Sequence, residues 1–431
     1  MLRVIAVIFI GILTSFYFFP FEFAILPGAN TKMIMAGLSL IVFGVNLAKS
    51  KMATIDRGFL IISILACLVS LAGLVSVAYN ETNDYTYATY IVSMWVWLGG
   101  AYFTVYCMRW LHKKVSVPVV ANYLIAVCVV QCIIALLIDN FPEVKSFVHT
   151  YIAGFDWVGF EQLEDGGRLY GIGATLDVAG LRFSAVLTMI AFLTGESIET
   201  SNHKLTICYL LAFGFITIVG NMIARTTTLG VILSCLYWAY ASKRVGNKRA
   251  LWRYIIGMTC VAIVVSAFLY SRNPVFKEDI RFAFEGFFSL AEDGEWNVSS
   301  NYRLKNMYVF PDNLKTWLVG DGYIENPYQR DPYYMGPRWG GYYMATDVGY
   351  LRFIFYFGVF GLALFIAFFC KVTQICIKRF PTYQVFFLML VAVNFIVWFK
   401  VSTDIFLVFA LFLCLTTDES STDSSLEIAN R

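Results

Sequence analysis

The chain has 431 residues, of which 59% are hydrophobic and only 14% are charged, whereas a soluble domain has about 25% charged residues. This composition excludes an ordinary soluble protein. A formal net charge of +3 gives no indication of a nucleic-acid partner, since the basic residues are divided among many short connections. The apolar residues fall in blocks of about 17–23 residues, the length that a helix needs to cross a bilayer core of about 30 Å. We therefore expect an all-α, polytopic integral membrane protein.

In chain order, the apolar blocks predict about twelve membrane-spanning helices. We interpret the first block as a span and not as a signal peptide, because no small-residue cleavage site follows it. The predicted spans are 2–19, 32–48, 58–78, 88–107, 117–138, 177–194, 205–222, 226–242, 253–271, 348–370, 383–399 and 402–416.

These spans divide the chain into six segments. The positively charged connections alternate with nearly neutral ones, so the positive-inside rule places both termini in the cytoplasm and the two large loops outside. The segments are 1–139 with spans 1–5, the first large outer loop 140–176, 177–271 with spans 6–9, the long periplasmic loop 272–347, 348–416 with spans 10–12, and the cytoplasmic tail 417–431.

The long loop contains an amphipathic stretch from Asp279 to Trp296, in which apolar residues alternate with charged ones at helical spacing. One interpretation is a helix that rests at the membrane surface. The other is a short helix that packs on the rest of the loop. The sequence leaves both open.

The remainder of the long loop is rich in tyrosine, tryptophan and glycine. Aromatic rings with polar tips suit the apolar faces and hydroxyl edges of sugars. The same residues also suit an aromatic belt at the membrane interface. They include Tyr323, Tyr328, Tyr333, Tyr334, Trp339, Tyr342 and Tyr343.

Several other kinds of site are not indicated. Cys128 and Cys132 share a helix face without a neighbouring histidine or carboxylate, which predicts packing and no metal site. The sequence has no phosphate-binding Gly-rich loop with Lys and no nucleophile elbow, and it predicts no cofactor. Acid–base chemistry on the outer face is left to carboxylates.

Arginines occur where arginine is costly. A cation inside the bilayer costs at least about 2.5–3.5 kcal/mol, so each one is a functional candidate. If these arginines gather on the outer side, their guanidinium groups would bind a phosphate or diphosphate. For Arg225 there is an alternative, in which its side chain extends to the membrane interface or pairs with an acid such as Asp404. Arg182, Arg225 and Arg352 lie within or at the outer ends of spans, and Arg168, Arg303 and Arg338 lie in the outer segments.

Three stretches occur in order on the predicted outer side. They are Arg168-Leu-Tyr-Gly171 with the following Ile-Gly-Ala-Thr-Leu-Asp-Val-Ala-Gly180; Ala224-Arg225-Thr-Thr-Thr-Leu-Gly230; and Asn301-Tyr-Arg303 with Trp317-Leu-Val-Gly320-Asp-Gly322, Thr346-Asp347-Val-Gly-Tyr350-Leu and Phe357-Gly358-Val-Phe-Gly361. In order and spacing they resemble motifs of the O-antigen ligase and O-antigen/capsule polymerase family of bacterial envelopes. The likeness covers roughly Arg168 to Gly361.

The resemblance implies a GT-C-like fold and a metal-independent, inverting glycosyltransferase that polymerises undecaprenyl-diphosphate-linked repeat units on the outer face of the bacterial inner membrane. The product would be an O-antigen, a capsule or an exopolysaccharide. Flippase and chain-length regulator proteins would be partners, together with membrane lipid. Ligases of the family usually have a histidine where this chain has Asp347, which favours a polymerase over a ligase that attaches glycan to lipid A core.

The resemblance also implies roles for residues. Arg168 and Arg303 would bind the diphosphate, and Asp347 would accept the acceptor proton or orient its hydroxyl; Asp347 also stands where an N-cap of the following span is expected. The substrate-binding candidates are Arg225, Arg352, Arg182, Arg338, Tyr350, Tyr302, Trp317 and Tyr323.

A membrane transporter is the alternative from another class. It predicts inverted repeats and broken helices with polar residues near the midplane, and the sequence shows neither clearly. Polar residues in or beside apolar blocks nevertheless keep this alternative open, namely Asn122, Gln131, Asn394 and Asp404. A purely structural or sensory protein would leave the aromatic loop unexplained.

Overall fold

The computed structural model describes residues 2–50, 56–153, 168–242, 248–330, 333–336 and 341–416, and the regular secondary structure of these residues is helical. Short 3₁₀ turns at Tyr343–Ala345 and Pro381–Tyr383 accompany the α-helices. The α-helices are α1 Leu2–Phe18, α2 Thr31–Ser50, α3 Arg57–Tyr79, α4 Tyr90–His112, α5 Val117–Asn140, α6 Pro142–Tyr151, α7 Leu176–Glu199, α8 His203–Ile223, α9 Thr227–Ala241, α10 Lys248–Arg272, α11 Pro274–Ala283, α12 Glu285–Asp293, α13 Ser299–Asn306, α14 Leu314–Val319, α15 Pro327–Arg330, α16 Gly349–Arg379, α17 Gln384–Val397 and α18 Phe406–Leu413.

Eight of the described helices are long and apolar enough to cross a membrane, namely α2, α3, α4, α5, α7, α8, α10 and α16. Helix α10 exposes most of its apolar side chains, including Val264 and Phe268. Such a surface is unfavourable in water at about 25 cal/mol per Å² and is ordinary in lipid. The structure thus confirms the all-helical, polytopic membrane class.

Four predicted spans form shorter helices. Helices α1, α9 and α17 have 17, 15 and 14 residues, and α18 has only eight. The residues from Trp398 to Ile405 precede α18 as turn and coil, so the predicted span 402–416 is helical only in part. A total of twelve spans stays a prediction.

The chain forms two compact units. The first consists of Met1–Gly37, Gly100–Asn297 and Cys414–Arg431, and the second of Leu38–Gly99 and Val298–Leu413.

In the first unit, α7 is the central helix. It packs against α5, α8 and α9 and is buried along most of its length. Small residues allow the close approach of α9, because a Cβ atom on Gly230 would meet Cα of Ser184 at 2.4 Å. The Ser184 hydroxyl accepts a hydrogen bond from the Gly230 amide at 3.1 Å and donates to the Thr226 carbonyl at 2.9 Å. Small residues and hydroxyl hydrogen bonds are typical of helix pairs in membranes.

In the second unit, α16 is broken within its apolar length. Gly358 has φ +69°, in the left-handed region that glycine adopts without strain. The break frees backbone carbonyls, and that of Tyr356 accepts from the Gly322 amide at 3.2 Å and from the Ser76 hydroxyl at 2.6 Å. A broken helix was not evident in the sequence, and the pairing of these carbonyls is what permits it in an apolar medium.

Candidate anion-binding residues

Two of the predicted arginines contact the same aromatic ring in the first unit. The guanidinium carbon of Arg225 lies 4.0 Å from the ring centroid of Phe282, and that of Arg168 lies 4.8 Å from the same centroid. The two cations are therefore no further apart than the sum of these distances. An amide hydrogen bond from Leu169 to the Met222 carbonyl, at 3.3 Å, ties the segment of Arg168 to the end of α8, just before Arg225.

A clamp from the junction of α11 and α12 holds Arg225. Its Nε donates to the Phe282 carbonyl at 2.9 Å, and its Nη1 forms an ion pair with Glu285 at 2.6 Å. In the structure, the acidic partner of Arg225 is therefore Glu285, whereas the sequence had suggested an acid such as Asp404. The sequence marked the amphipathic stretch that contains Glu285 but gave no reason to select this residue as a partner.

The turn that carries Arg225 is fixed on α7. The Thr226 hydroxyl donates to the Asp177 carboxylate, and the Thr227 hydroxyl donates to the Gly220 carbonyl at 3.0 Å. These short polar side chains satisfy backbone and carboxylate groups at the end of α8 and the start of α9. The position of the guanidinium thus depends on a rigid turn.

The amphipathic stretch forms two helices, α11 and α12, which meet at Phe284. Helix α11 packs on α8 and α10, while Phe287, Leu290 and Trp296 are exposed. Of the two sequence interpretations, packing is observed, although on α8 and α10 and not on the loop as expected; a helix at the membrane surface stays a prediction.

Arg182 also lies in the first unit, on the buried helix α7. Its guanidinium carbon is 5.4 Å from the Phe19 ring centroid and 5.9 Å from that of Phe18. It is only 6% exposed, so it contributes a cation within the helical core.

Arg352 is the buried cation of the second unit. It is 8% exposed, its guanidinium carbon lies 3.6 Å from the ring centroid of Tyr342, and its Nη2 donates to the Ile324 carbonyl at 3.1 Å. Among the described residues, no carboxylate forms an ion pair with Arg352, and its buried Nε has no hydrogen-bond partner. A buried cation without a carboxylate is costly to the fold, which marks it as a functional candidate.

Asp84 is a buried residue of the second unit that the sequence did not reveal, and it binds the same backbone segment as Arg352. One carboxylate oxygen accepts from the amides of Ile324 and Glu325 at 3.0 and 3.3 Å. The other accepts from the Thr86 hydroxyl at 2.6 Å. Asp84 thus fixes the backbone segment whose carbonyl holds Arg352.

Asp347 is partly exposed and precedes α16. The N-cap position of that helix is Val348, and it has no side-chain hydrogen bond; the interpretation of Asp347 as the N-cap is therefore wrong. The neighbouring Thr346 hydroxyl accepts from the Val348 amide at 3.2 Å and closes the turn instead.

Tyrosines cluster in the second unit. The ring of Tyr323 lies 5.5 Å from that of Tyr343 and 5.9 Å from that of Tyr334, centroid to centroid, and Tyr334 lies 5.5 Å from Tyr328. The Tyr343 hydroxyl donates to Asp321 at 3.2 Å. Burial, together with this carboxylate, raises the pKa of Tyr343, so its hydroxyl stays protonated.

Of the other predicted ligand-binding residues, some have described side-chain contacts and some lie outside the described part of the chain. Trp317 donates through its indole to the Pro311 carbonyl at 2.9 Å, and the Tyr350 hydroxyl donates to the Phe395 carbonyl at 2.9 Å. Tyr302 and Arg303 belong to α13, but their side chains lie outside the described part of the chain, and Arg338 lies outside the described residues.

These helices and buried arginines define a polytopic α-helical membrane protein with cationic sites in each of its two units. Comparison of the chain with known protein families, with curated protein sequences and with solved structures gives no match.

Proposed function

We propose that this protein is a glycosyltransferase that polymerises lipid-diphosphate-linked oligosaccharide repeat units of a bacterial surface polysaccharide. The reaction takes place on the outer face of the cytoplasmic membrane, with both chain termini in the cytoplasm. The donor is an undecaprenyl-diphosphate-linked glycan, and the acceptor is a sugar hydroxyl.

The observation that carries this proposal is the pair of arginines, Arg168 and Arg225, over one ring of Phe282. Two guanidinium groups that contact one ring suit a ligand with two linked phosphates, since each offers a planar fork of donors. Their position beside the ends of apolar helices suits a ligand whose tail lies in lipid.

The second unit supports the proposal through different chemistry. Arg352 supplies a buried cation, and the tyrosines around Tyr323 supply ring faces with hydroxyl edges. Such surfaces suit glycans, because a sugar presents C–H faces to rings and hydroxyls to polar tips. Asp347 is partly exposed near these tyrosines in the chain.

In the proposed step, the acceptor oxygen attacks the anomeric carbon, and the bond from that carbon to the diphosphate oxygen breaks. The acceptor proton passes to the carboxylate of Asp347. The carrier lipid leaves as its diphosphate, and arginines stabilise the charge that accumulates on it. A glycosyl diphosphate is already activated, so the reaction needs no nucleotide sugar.

The test uses purified full-length protein in lipid nanodiscs, supplied with a lipid-diphosphate oligosaccharide. We expect products longer by whole repeat units, resolved by gel electrophoresis and mass spectrometry. Replacement of Arg168 by lysine should lower the rate about tenfold or more, because bidentate geometry is lost while the charge remains. Arg303→Ala should likewise impair extension.

Arg281→Lys is the matched control, since Arg281 is a more exposed arginine that pairs with Glu292; it should extend chains at the normal rate. Normal extension by Arg303→Ala or by an arginine-pair variant would contradict the assigned site. Absence of any extension by the wild type, with transfer to lipid A core instead, would assign a ligase.

The broken helix α16 favours one other function, a transporter, because discontinuous helices line many transport sites. Its break at Gly358 is the specific observation. Flux of a labelled solute into proteoliposomes without a covalent product would show that the protein is a transporter.

A further inference from the structure

Glu285 binds the Nη1 edge of the Arg225 guanidinium, which the proposed function requires for binding phosphate. Its carboxylate lies 2.6 Å from Nη1 of Arg225, and the side chains are 32% and 15% exposed respectively. A carboxylate and a phosphate oxygen use the same donors of arginine. One of these two anions must leave that edge before the other can bind.

We propose that Glu285 is the internal counter-ion of the arginine pair, and that it sets the affinity of the site because a diphosphate must displace it from Arg225. This inference rests on the proposed binding of an anion at Arg168 and Arg225. It adds a residue that determines affinity, and it is independent of the sugar that is transferred.

The backbone around Glu285 suits such a displacement. Glu285 is the first residue of α12, and the junction with α11 is the single residue Phe284, which has φ −118° and ψ 30°. A change at this junction would move Glu285 without unfolding either helix. The apolar side chains of Phe287 and Leu290 on one face of α12 are exposed, and the ring of Phe287 contacts that of Trp296, also exposed, at 5.0 Å between centroids.

The remaining contacts of the clamp need not be lost with the carboxylate. The Phe282 carbonyl accepts from Nε, and the Phe282 ring lies under the guanidinium. Both belong to α11, not to α12. Arg225 therefore stays oriented while its Nη1 edge exchanges one anion for the other.

The test is a double-mutant cycle on binding. Purified full-length protein in detergent is titrated with farnesyl diphosphate, with farnesol for the tail alone and inorganic pyrophosphate for the head group alone. We expect Glu285→Gln to bind farnesyl diphosphate about threefold to tenfold more tightly, since an internal competitor is removed. Arg225→Gln should weaken binding, and Glu285→Gln should have no further effect in that background.

Two variants separate charge from structure. Glu285→Asp keeps the charge and should stay near the wild-type affinity. Asp293→Asn removes an exposed carboxylate at the other end of α12 and should leave affinity unchanged. A purely structural role would lower the melting temperature of Glu285→Gln and leave its affinity as in the wild type.

The inference is overturned if Glu285→Gln binds no more tightly than the wild type, or if it tightens binding equally when Arg225 is absent. If Arg225→Gln and Arg168→Gln bind farnesyl diphosphate as the wild type does, the proposed anion site itself fails. The two failures are thus distinguishable.

Discussion

At the scale of single residues, the burial of Arg352 costs free energy of folding, and the same cation is available to stabilise negative charge in the proposed reaction. It is 8% exposed and stacks on Tyr342, and its buried Nε has no hydrogen-bond partner. Loss of Arg352 removes an uncompensated buried charge, whose desolvation opposes folding, at the expense of one hydrogen bond to the Ile324 carbonyl. We expect Arg352→Met to keep or raise the melting temperature while extension activity falls about a hundredfold.

Arg379→Met is the comparison for that measurement. Arg379 donates to the Leu413 carbonyl at 2.6 Å and pairs with Asp56, so its loss leaves partners unsatisfied and should cost about 1–3 kcal/mol. A large drop in the melting temperature of Arg352→Met, with a proportionate loss of activity, would show that Arg352 is structural.

Sequence reasoning found the arginines because their cost in an apolar block is a local property. It did not find their partners. Glu285 follows Arg225 by 60 positions, and no pattern in the chain marks one of many acids as the partner of one arginine.

At the scale of elements, the break in α16 depends on one glycine. A Cβ atom on Gly358 would meet the Leu318 carbonyl oxygen at 2.1 Å, and its φ of +69° adds strain for any other residue. We expect Gly358→Ala to lower the free energy of unfolding by more than about 2 kcal/mol, measured as a fall in melting temperature in detergent.

Gly257→Ala in α10 is its control, because a Cβ atom there would meet nothing within 4 Å. This variant should unfold at the wild-type temperature or slightly above. Equal stability of both variants would show that α16 has no fixed break.

Helix α11 carries a buried acid, Asp279. Burial, with the nearby carboxyls of Asp139 and Glu278, raises its pKa from 3.8 to about 7. The folded protein thus holds this proton where the unfolded chain releases it, so stability should fall as the pH rises from about 4 to about 7 and then level off, by on the order of 4 kcal/mol.

The difference in melting temperature between wild type and Asp279→Asn, measured across this pH range, isolates the effect. The variant should gain on the wild type as the pH rises. A difference that does not change with pH would contradict the raised pKa.

At the scale of the whole molecule, the charge pattern predicts an orientation. Alkaline phosphatase fused after Asn297 should be active, because the enzyme folds outside the cytoplasm. The same enzyme fused after Lys113 should be inactive, and green fluorescent protein fused to the C-terminus should fluoresce. The opposite set of results would reverse the positive-inside assignment.

The sequence by itself determined the class of this protein, because the length and hydrophobicity of a block decide locally whether a helix fits a bilayer. It also placed most helices, with Leu176–Glu199 close to the predicted 177–194. It could not give the break at Gly358, which requires the carbonyls of α16 to find partners near Gly322 and Ser76.

Only the tertiary structure decided that Arg168 and Arg225 share the ring of Phe282 and that Glu285 lies on Arg225. These contacts join residues that are remote in the chain, and their geometry follows from how α7, α8 and α11 pack. Local hydrophobicity therefore decides what kind of protein this is, whereas packing decides which of its costly charges meet.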